Sequence, residues 1–156
     1  MAEKTNRELT LTRVLEAPRE RVFKAWTDPK LLMQWWGPRG FSTPVAELDV
    51  QPGGALNIVM EDTEGMIEKG SRYPMDGVFQ EVVEPERLVY TSNAVMDGKP
   101  VLETLTTVTF EDQEGRTKLT VHIVVTRLTP EGEGPLSGME MGWSQMLDKL
   151  AEFFAV

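Results

Sequence analysis

Residues 135–154 read P-L-S-G-M-E-M-G-W-S-Q-M-L-D-K-L-A-E-F-F. Met139, Trp143, Met146, Leu147, Leu150, Phe153 and Phe154 recur there at steps of three and four. That spacing is one apolar stripe on a helix, and Glu140, Ser144, Gln145, Asp148, Lys149 and Glu152 fall on its far side. Roughly twenty helical residues span about 30 Å, enough to cross a whole sheet. Such a stripe must be buried against another layer.

The rest of the chain supplies that layer. Residues 44–127 read as strands separated by turns. VAELDV (45–50) and ALNIVME (55–61) flank Pro52-Gly53-Gly54, and the acidic EDTEG (61–65) leads to a stretch around Arg72–Val83. Pro85-Glu86 turns into RLVYTSN (87–93), Asp97-Gly98 into VLETLTTVTFE (101–111), and Glu114-Gly115 into TKLTVHIVVT (117–126). Short strands with turn signals at this spacing predict an antiparallel meander.

Upstream, LTLTRVLE (9–16) is a further strand, stopped by Ala17-Pro18. RERVFKAW (19–26) puts Val22, Phe23 and Trp26 on one helical face. Asp28 is placed to cap a second short helix, Pro29–Trp36, which Gly37-Pro38 ends. The fold class is therefore α+β: a curved antiparallel sheet around a long C-terminal helix, with two short helices after strand 1. The 156 residues correspond to a single domain, 1–156.

Composition excludes several functions. There is no Cys, so thiolate metal sites, disulfides and cysteine nucleophiles are out. With His122 alone, no multi-imidazole zinc centre forms within one chain. A net charge of −9 repels phosphate backbones and anionic bilayers, so neither nucleic acid nor membrane is expected as partner. The opening MAEKTNRELT lacks the layout of a secretory signal, and no apolar run approaches the ~18 residues of a span. A cytoplasmic location is expected. No motif demands a metal or nucleotide, and no cofactor is expected.

RVLEAPRERVFKAWTDP (13–29), WWGP (35–38), PGG (52–54), GVFQE (77–81), PERLVY (85–90) and GW (142–143) occur in a familiar order. This combination resembles the bacterial homologues of the activator of the ninety-kilodalton heat-shock protein's ATPase, in the START-like (SRPBCC, polyketide-cyclase and birch-pollen-allergen) superfamily. The resemblance implies a helix-grip fold with an internal cavity between helix and sheet. It leaves function open, because that superfamily includes lipid carriers, hormone receptors, aromatases, cyclases and co-chaperones.

Candidate ligand-binding residues follow from chemistry. Tyr73, Tyr90 and Trp143 each join apolar bulk to a polar tip that orients a ligand. Met60, Met139 and Met146 are adaptable fillers beside the helix–sheet gap, with Met141 near them. Trp35 and Trp36 plug one end of the core, and one of them lines the entrance. The resemblance favours Phe79 facing inward, with Glu81 near the cavity mouth beside an Arg. Alternation alone also allows Val78 and Val82 inside with Glu81 solvated. An inward carboxylate would have a raised pKa.

Other features have plainer readings. His122 shares a face with Thr120 opposite Leu119, Val121 and Ile123, which favours solvent over general-base duty. Glu61, Asp62, Glu64 and Glu68 lack calcium-loop spacing and read as a solvated hairpin. Gly132, Gly134, Gly138 and Gly142 do not form a phosphate loop. Gly142, between Met139 and Met146, marks either a close-packed neighbour or space kept for a ligand; close packing is the favoured reading.

Magnitude limits the cavity. At ~24 cal/mol per Å³, an empty void of about 300 Å³ would cost ~7 kcal/mol, comparable with the ~5–15 kcal/mol stability of a domain. A promiscuous or partly collapsed pocket is expected. The leading function is binding of a small hydrophobic or aromatic molecule. The alternatives are a cyclase- or hydrolase-like enzyme using Glu81 with Tyr73 or Tyr90, and a co-chaperone that activates a heat-shock ATPase. A homodimer stays open.

Overall fold

The structure is a computed structural model and describes residues 7–154. The chain starts with β1 (Glu8–Leu15), α1 (Arg19–Thr27) and the short α2 (Pro29–Leu32). Six strands follow: β2 (Phe41–Leu48), β3 (Ala55–Asp62), β4 (Arg72–Val83), β5 (Arg87–Met96), β6 (Lys99–Gln113) and β7 (Arg116–Leu128). A 3₁₀ turn (Pro130–Gly132), α3 (Glu133–Ser137) and α4 (Met139–Phe153) complete it. The seven strands form one sheet in the order β1-β7-β6-β5-β4-β3-β2, antiparallel throughout. It is a curled half-barrel closed on its concave side by helices, the expected helix-grip arrangement.

Local chemistry accounts for the turns. Asp97-Gly98 and Glu114-Gly115 all have positive φ (53° and 75°, 55° and 86°), the requirement of the tight hairpin turn whose twist matches its strands. Asp28 caps α2 as expected, accepting from the Lys30 amide at 2.9 Å. β2 carries Pro44 within a register slip between Ser42 and Val45, and it pairs with β3 alone.

Two helices are shorter than predicted. α2 stops at Leu32 rather than Trp36, and Met33–Trp35 form turns. The C-terminal helix is divided at Gly138, which ends α3 and precedes α4. Gly134, Pro135 and Gly138 are poor helix formers close together. The remaining 15 residues of α4 span about 22 Å at ~1.5 Å per residue.

α4 is held at both rims of the sheet through residues 144–152. From β1, the Arg13 guanidinium donates to Asp148 at 3.2 Å and to Ser144 Oγ at 2.9 Å. From the α2–β2 loop, the Arg39 amide donates to Gln145 at 3.1 Å and the Arg39 guanidinium pairs with Glu152. Lys149 donates to the Gly37 carbonyl at 3.0 Å, and the Gly37 amide donates to Met146 Sδ at 3.0 Å. Met146, Leu147 and Leu150 are the buried side chains of α4.

The acidic hairpin is solvated as expected at Glu64 and Glu68, and Asp62 departs from that reading. Asp62 is wholly buried, and its carboxylate accepts the Met66, Ile67 and Glu68 amides at 2.8, 2.7 and 2.8 Å. Burial pushes its pKa up, but those amides, together with that of Gly65, outweigh burial and hold the carboxyl below its usual range. Gly142 departs too: a Cβ there would meet only Pro38 Cγ at 3.9 Å, ordinary contact rather than close packing.

Candidate ligand-binding interior

The concave side is lined by alternate residues of each strand. On β4, Tyr73, Met75, Gly77 and Phe79 point inward; the ladder then slips between Phe79 and Glu81. The bulge reverses the alternation, so Val82 turns inward and Glu81 turns out. Glu81 is exposed and pairs with Arg87 on the outer face. Its carboxylate therefore does not enter the interior, although the arginine partner was expected. Phe79 is buried and faces Tyr90 across the ladder, ring centroids 6.1 Å apart.

The four tryptophans gather at one end of the core. Trp26 lies at the centre, 4.8 Å from Trp35, 5.9 Å from Trp36 and 6.1 Å from Trp143, on which it stacks at 16°. Trp35 is fully buried and donates to the Ala25 carbonyl at 3.1 Å. Trp143, from the first half of α4, remains half-buried and covers Trp26 and Trp36. Trp26 Nε1 is buried and has no hydrogen-bond partner.

Between these rings and the sheet lies a small void of about 10 Å³. Trp26, Trp36 and Leu32 wall it on the helical side; Leu56, Ile58, Phe79, Leu88 and Tyr90 wall it on the sheet side. That volume holds about one water molecule. The cavity expected from the resemblance is thus nearly closed. The Tyr90 hydroxyl is a second buried polar atom without a partner. Burial pushes the phenol's pKa well above its ordinary value; the Thr106 hydroxyl, opposite it, acts the other way but makes no hydrogen bond of normal geometry.

The remaining expected residues are dispersed. Met60 and Tyr73 face each other across β3 and β4, both half-buried, with Phe41 6.0 Å from the Tyr73 ring. Met146 is buried against Gly37. Met139 lines a separate open cleft of about 400 Å³ beside Leu9, Leu136 and Glu140. So Phe79 and Tyr90 meet at the void, Trp143 covers the tryptophans beside it, and Met60, Tyr73, Met139 and Glu81 lie elsewhere. His122 lies on the outer face 2.8 Å from Glu8. Among the described residues no group of His, Asp and Glu is arranged to hold a metal, and no helix is long and apolar enough to cross a membrane.

Sequence reasoning missed Trp26 as a lining residue and three buried hydroxyls: Ser92, Thr104 and Thr106. The signal was present. Ser92 is two residues beyond Tyr90, and Thr104 and Thr106 are in phase with the inward Val108 and Phe110.

A profile of the family described as activator of Hsp90 ATPase homolog 1-like protein matches residues 16–155. The chain belongs to this AHSA1 family. A crystal structure of a Chromobacterium violaceum protein is similar at 30% identity, covering 96% of this chain and 97% of that one, with a TM-score of 0.80. The AHSA1 protein of Silicibacter pomeroyi is 28% identical over 96% and 98% of the two chains, with a TM-score of 0.77. A Nitrosomonas europaea protein is 29% identical over 93% and 92%, with a TM-score of 0.72. No curated protein matches the sequence. The AHSA1 match begins at Glu16, after β1, whereas the structural likeness extends over nearly the whole chain.

Proposed function

We propose that this AHSA1 protein binds a small hydrophobic or aromatic molecule between α4 and the concave sheet, in the cytoplasm, with residues 1–156 acting as one unit. The observation that supports this reading is the pair of buried, unpartnered polar atoms, Trp26 Nε1 and Tyr90 Oη, on residues that wall one void. Each such atom costs ~1–3 kcal/mol in the closed state. A ligand offering a hydrogen-bonding atom recovers part of that cost, so its binding favours an opened interior.

Opening has a route. The side-chain ties that hold α4 to the sheet rims run from residues 144–152. Met139–Trp143, next to Gly138, is the stretch that would move: Met139 and Trp143 are half-buried, and Glu140 and Met141 are exposed. Native mass spectrometry and a thermal-shift panel of lipids and polyketides test the idea, with hydrogen exchange as the local readout. A binder is expected to raise the melting point and slow exchange at 139–143. If nothing co-purifies and no compound shifts the melting point, the proposal fails.

The family description supports a second reading, stimulation of a ninety-kilodalton-class chaperone. Unchanged ATPase turnover of a bacterial chaperone at saturating protein would dispose of it. The cyclase- or hydrolase-like alternative has lost its support, since Glu81 pairs with Arg87 on the outer surface.

A further inference from the structure

The interior face of β5 and β6 is not uniformly apolar. Leu88 and Val108 oppose each other at one end, and Ala94 and Leu102 at the other. Between them stand two opposed pairs bearing hydroxyls, Tyr90 with Thr106 and Ser92 with Thr104. These four residues retain only 4%, 1%, 8% and 7% exposure. They form a belt between Leu88–Val108 and Ala94–Leu102; Tyr90 still belongs to the main core, while Ala94 packs against the smaller cluster of Val101, Leu102 and Val125. Ser92 and Thr104 satisfy each other at 2.7 Å, which leaves the Tyr90 hydroxyl over.

A buried hydroxyl gives up its hydration and needs a partner, so an apolar side chain would be the cheaper filling for such a position. Charge is treated differently. Among the described residues the buried charged side chain is Asp62, which lies in the β3–β4 hairpin and is satisfied by backbone amides. Among the described residues no Lys, Arg or His is buried beside the belt to neutralise an ionised guest.

Resting on the binding reading above, we infer that the interior selects uncharged ligands: a flat apolar body bearing one hydroxyl or carbonyl oxygen. The body lies against Trp26 and Phe79, and the oxygen meets the Tyr90 hydroxyl beside the Ser92–Thr104 pair. An ionised carboxylate on the same body is refused because it would lose its hydration without a counter-charge. A bare hydrocarbon leaves the phenol unpartnered.

Three probes of one shape separate these cases: 2-naphthol, 2-naphthoate and naphthalene, titrated calorimetrically at neutral pH. The naphthol is expected to bind about tenfold more tightly than either of the others. In Tyr90→Phe, the ratio of naphthol to naphthalene affinity is expected to fall to about one. Ser92→Ala, which shortens the belt without touching the phenol, is expected to reduce that ratio less. Near-ultraviolet circular dichroism checks that each variant keeps its packing. Equal affinities in the unsubstituted protein, preference for the naphthoate, or a ratio unmoved by Tyr90→Phe would each overturn the inference while leaving the binding reading intact. Binding of lipids or polyketides from the panel but of none of the three probes overturns it too. Silence toward panel and probes together overturns the binding reading itself, and the inference with it.

Discussion

Tyr90 carries a cost in the closed structure that its phenylalanine analogue would not. Its hydroxyl is buried without a partner, so Tyr90→Phe is expected to leave stability unchanged or raise it by about 1 kcal/mol in urea unfolding at neutral pH. The sign of the pH effect follows from a phenol held neutral by burial. Its folded pKa lies above its ordinary value near 10, so below about pH 10 the phenol is neutral in folded and unfolded chains alike and its titration takes nothing from stability. At higher pH the unfolded chain ionises first, and stability falls until the pH passes the folded value. The unsubstituted protein is therefore expected to lose stability faster than Tyr90→Phe at strongly alkaline pH.

Asp62 gives the opposite case. Its carboxyl titrates below the usual range in the fold, so its support for the hairpin is present above about pH 4 and is lost only as pH falls through the lower folded value. Asp62→Asn is expected to lower the melting point at neutral pH. The gap between the two proteins should close in strong acid.

At the scale of elements, α4 offers a direct test of its packing. Gly142 has room for a Cβ, with Pro38 Cγ 3.9 Å away. Gly142→Ala is expected to stabilise by about 0.5–1 kcal/mol through helix propensity and a less disordered unfolded chain, raising the melting point by ~1–4 °C. A lower melting point would mean that the groove beside Pro38 is tighter than this distance implies. The strands, their hairpin turns and the stripe of α4 were legible because alternation, Asp-Gly and Glu-Gly turns and three-to-four spacing are local signals. Glu81 was not, because a one-residue bulge after Phe79 reverses every facing beyond it and leaves no mark in composition. The division at Gly138 was written in Gly134, Pro135 and Gly138, but the strong apolar stripe beyond them drew the expected helix back over it.

Over the whole molecule, the architecture was readable and the state of its interior was not. Whether facing layers meet depends on how far Trp143 settles onto Trp26 and Trp36, a matter of tertiary packing that no periodicity encodes. The energetic argument against an empty void nevertheless anticipated a nearly closed one, and about 10 Å³ is what remains. Of the residues expected to touch a ligand, Phe79 and Tyr90, opposed across the β4–β5 ladder, came together at the void. The flexible methionines dispersed to fill separate gaps.

Pro44 bears on how copies of this protein meet. A sheet with open margins invites a stranger's backbone to extend it, and proline has no N–H to offer such a guest. Seated in the slipped register of β2, it interrupts one margin of this half-barrel. Association of copies by strand addition along that margin is discouraged. Replacing Pro44 with Thr is expected to increase self-association measurable by light scattering at high concentration, the same residue having until then kept a naturally sticky border dry and solitary.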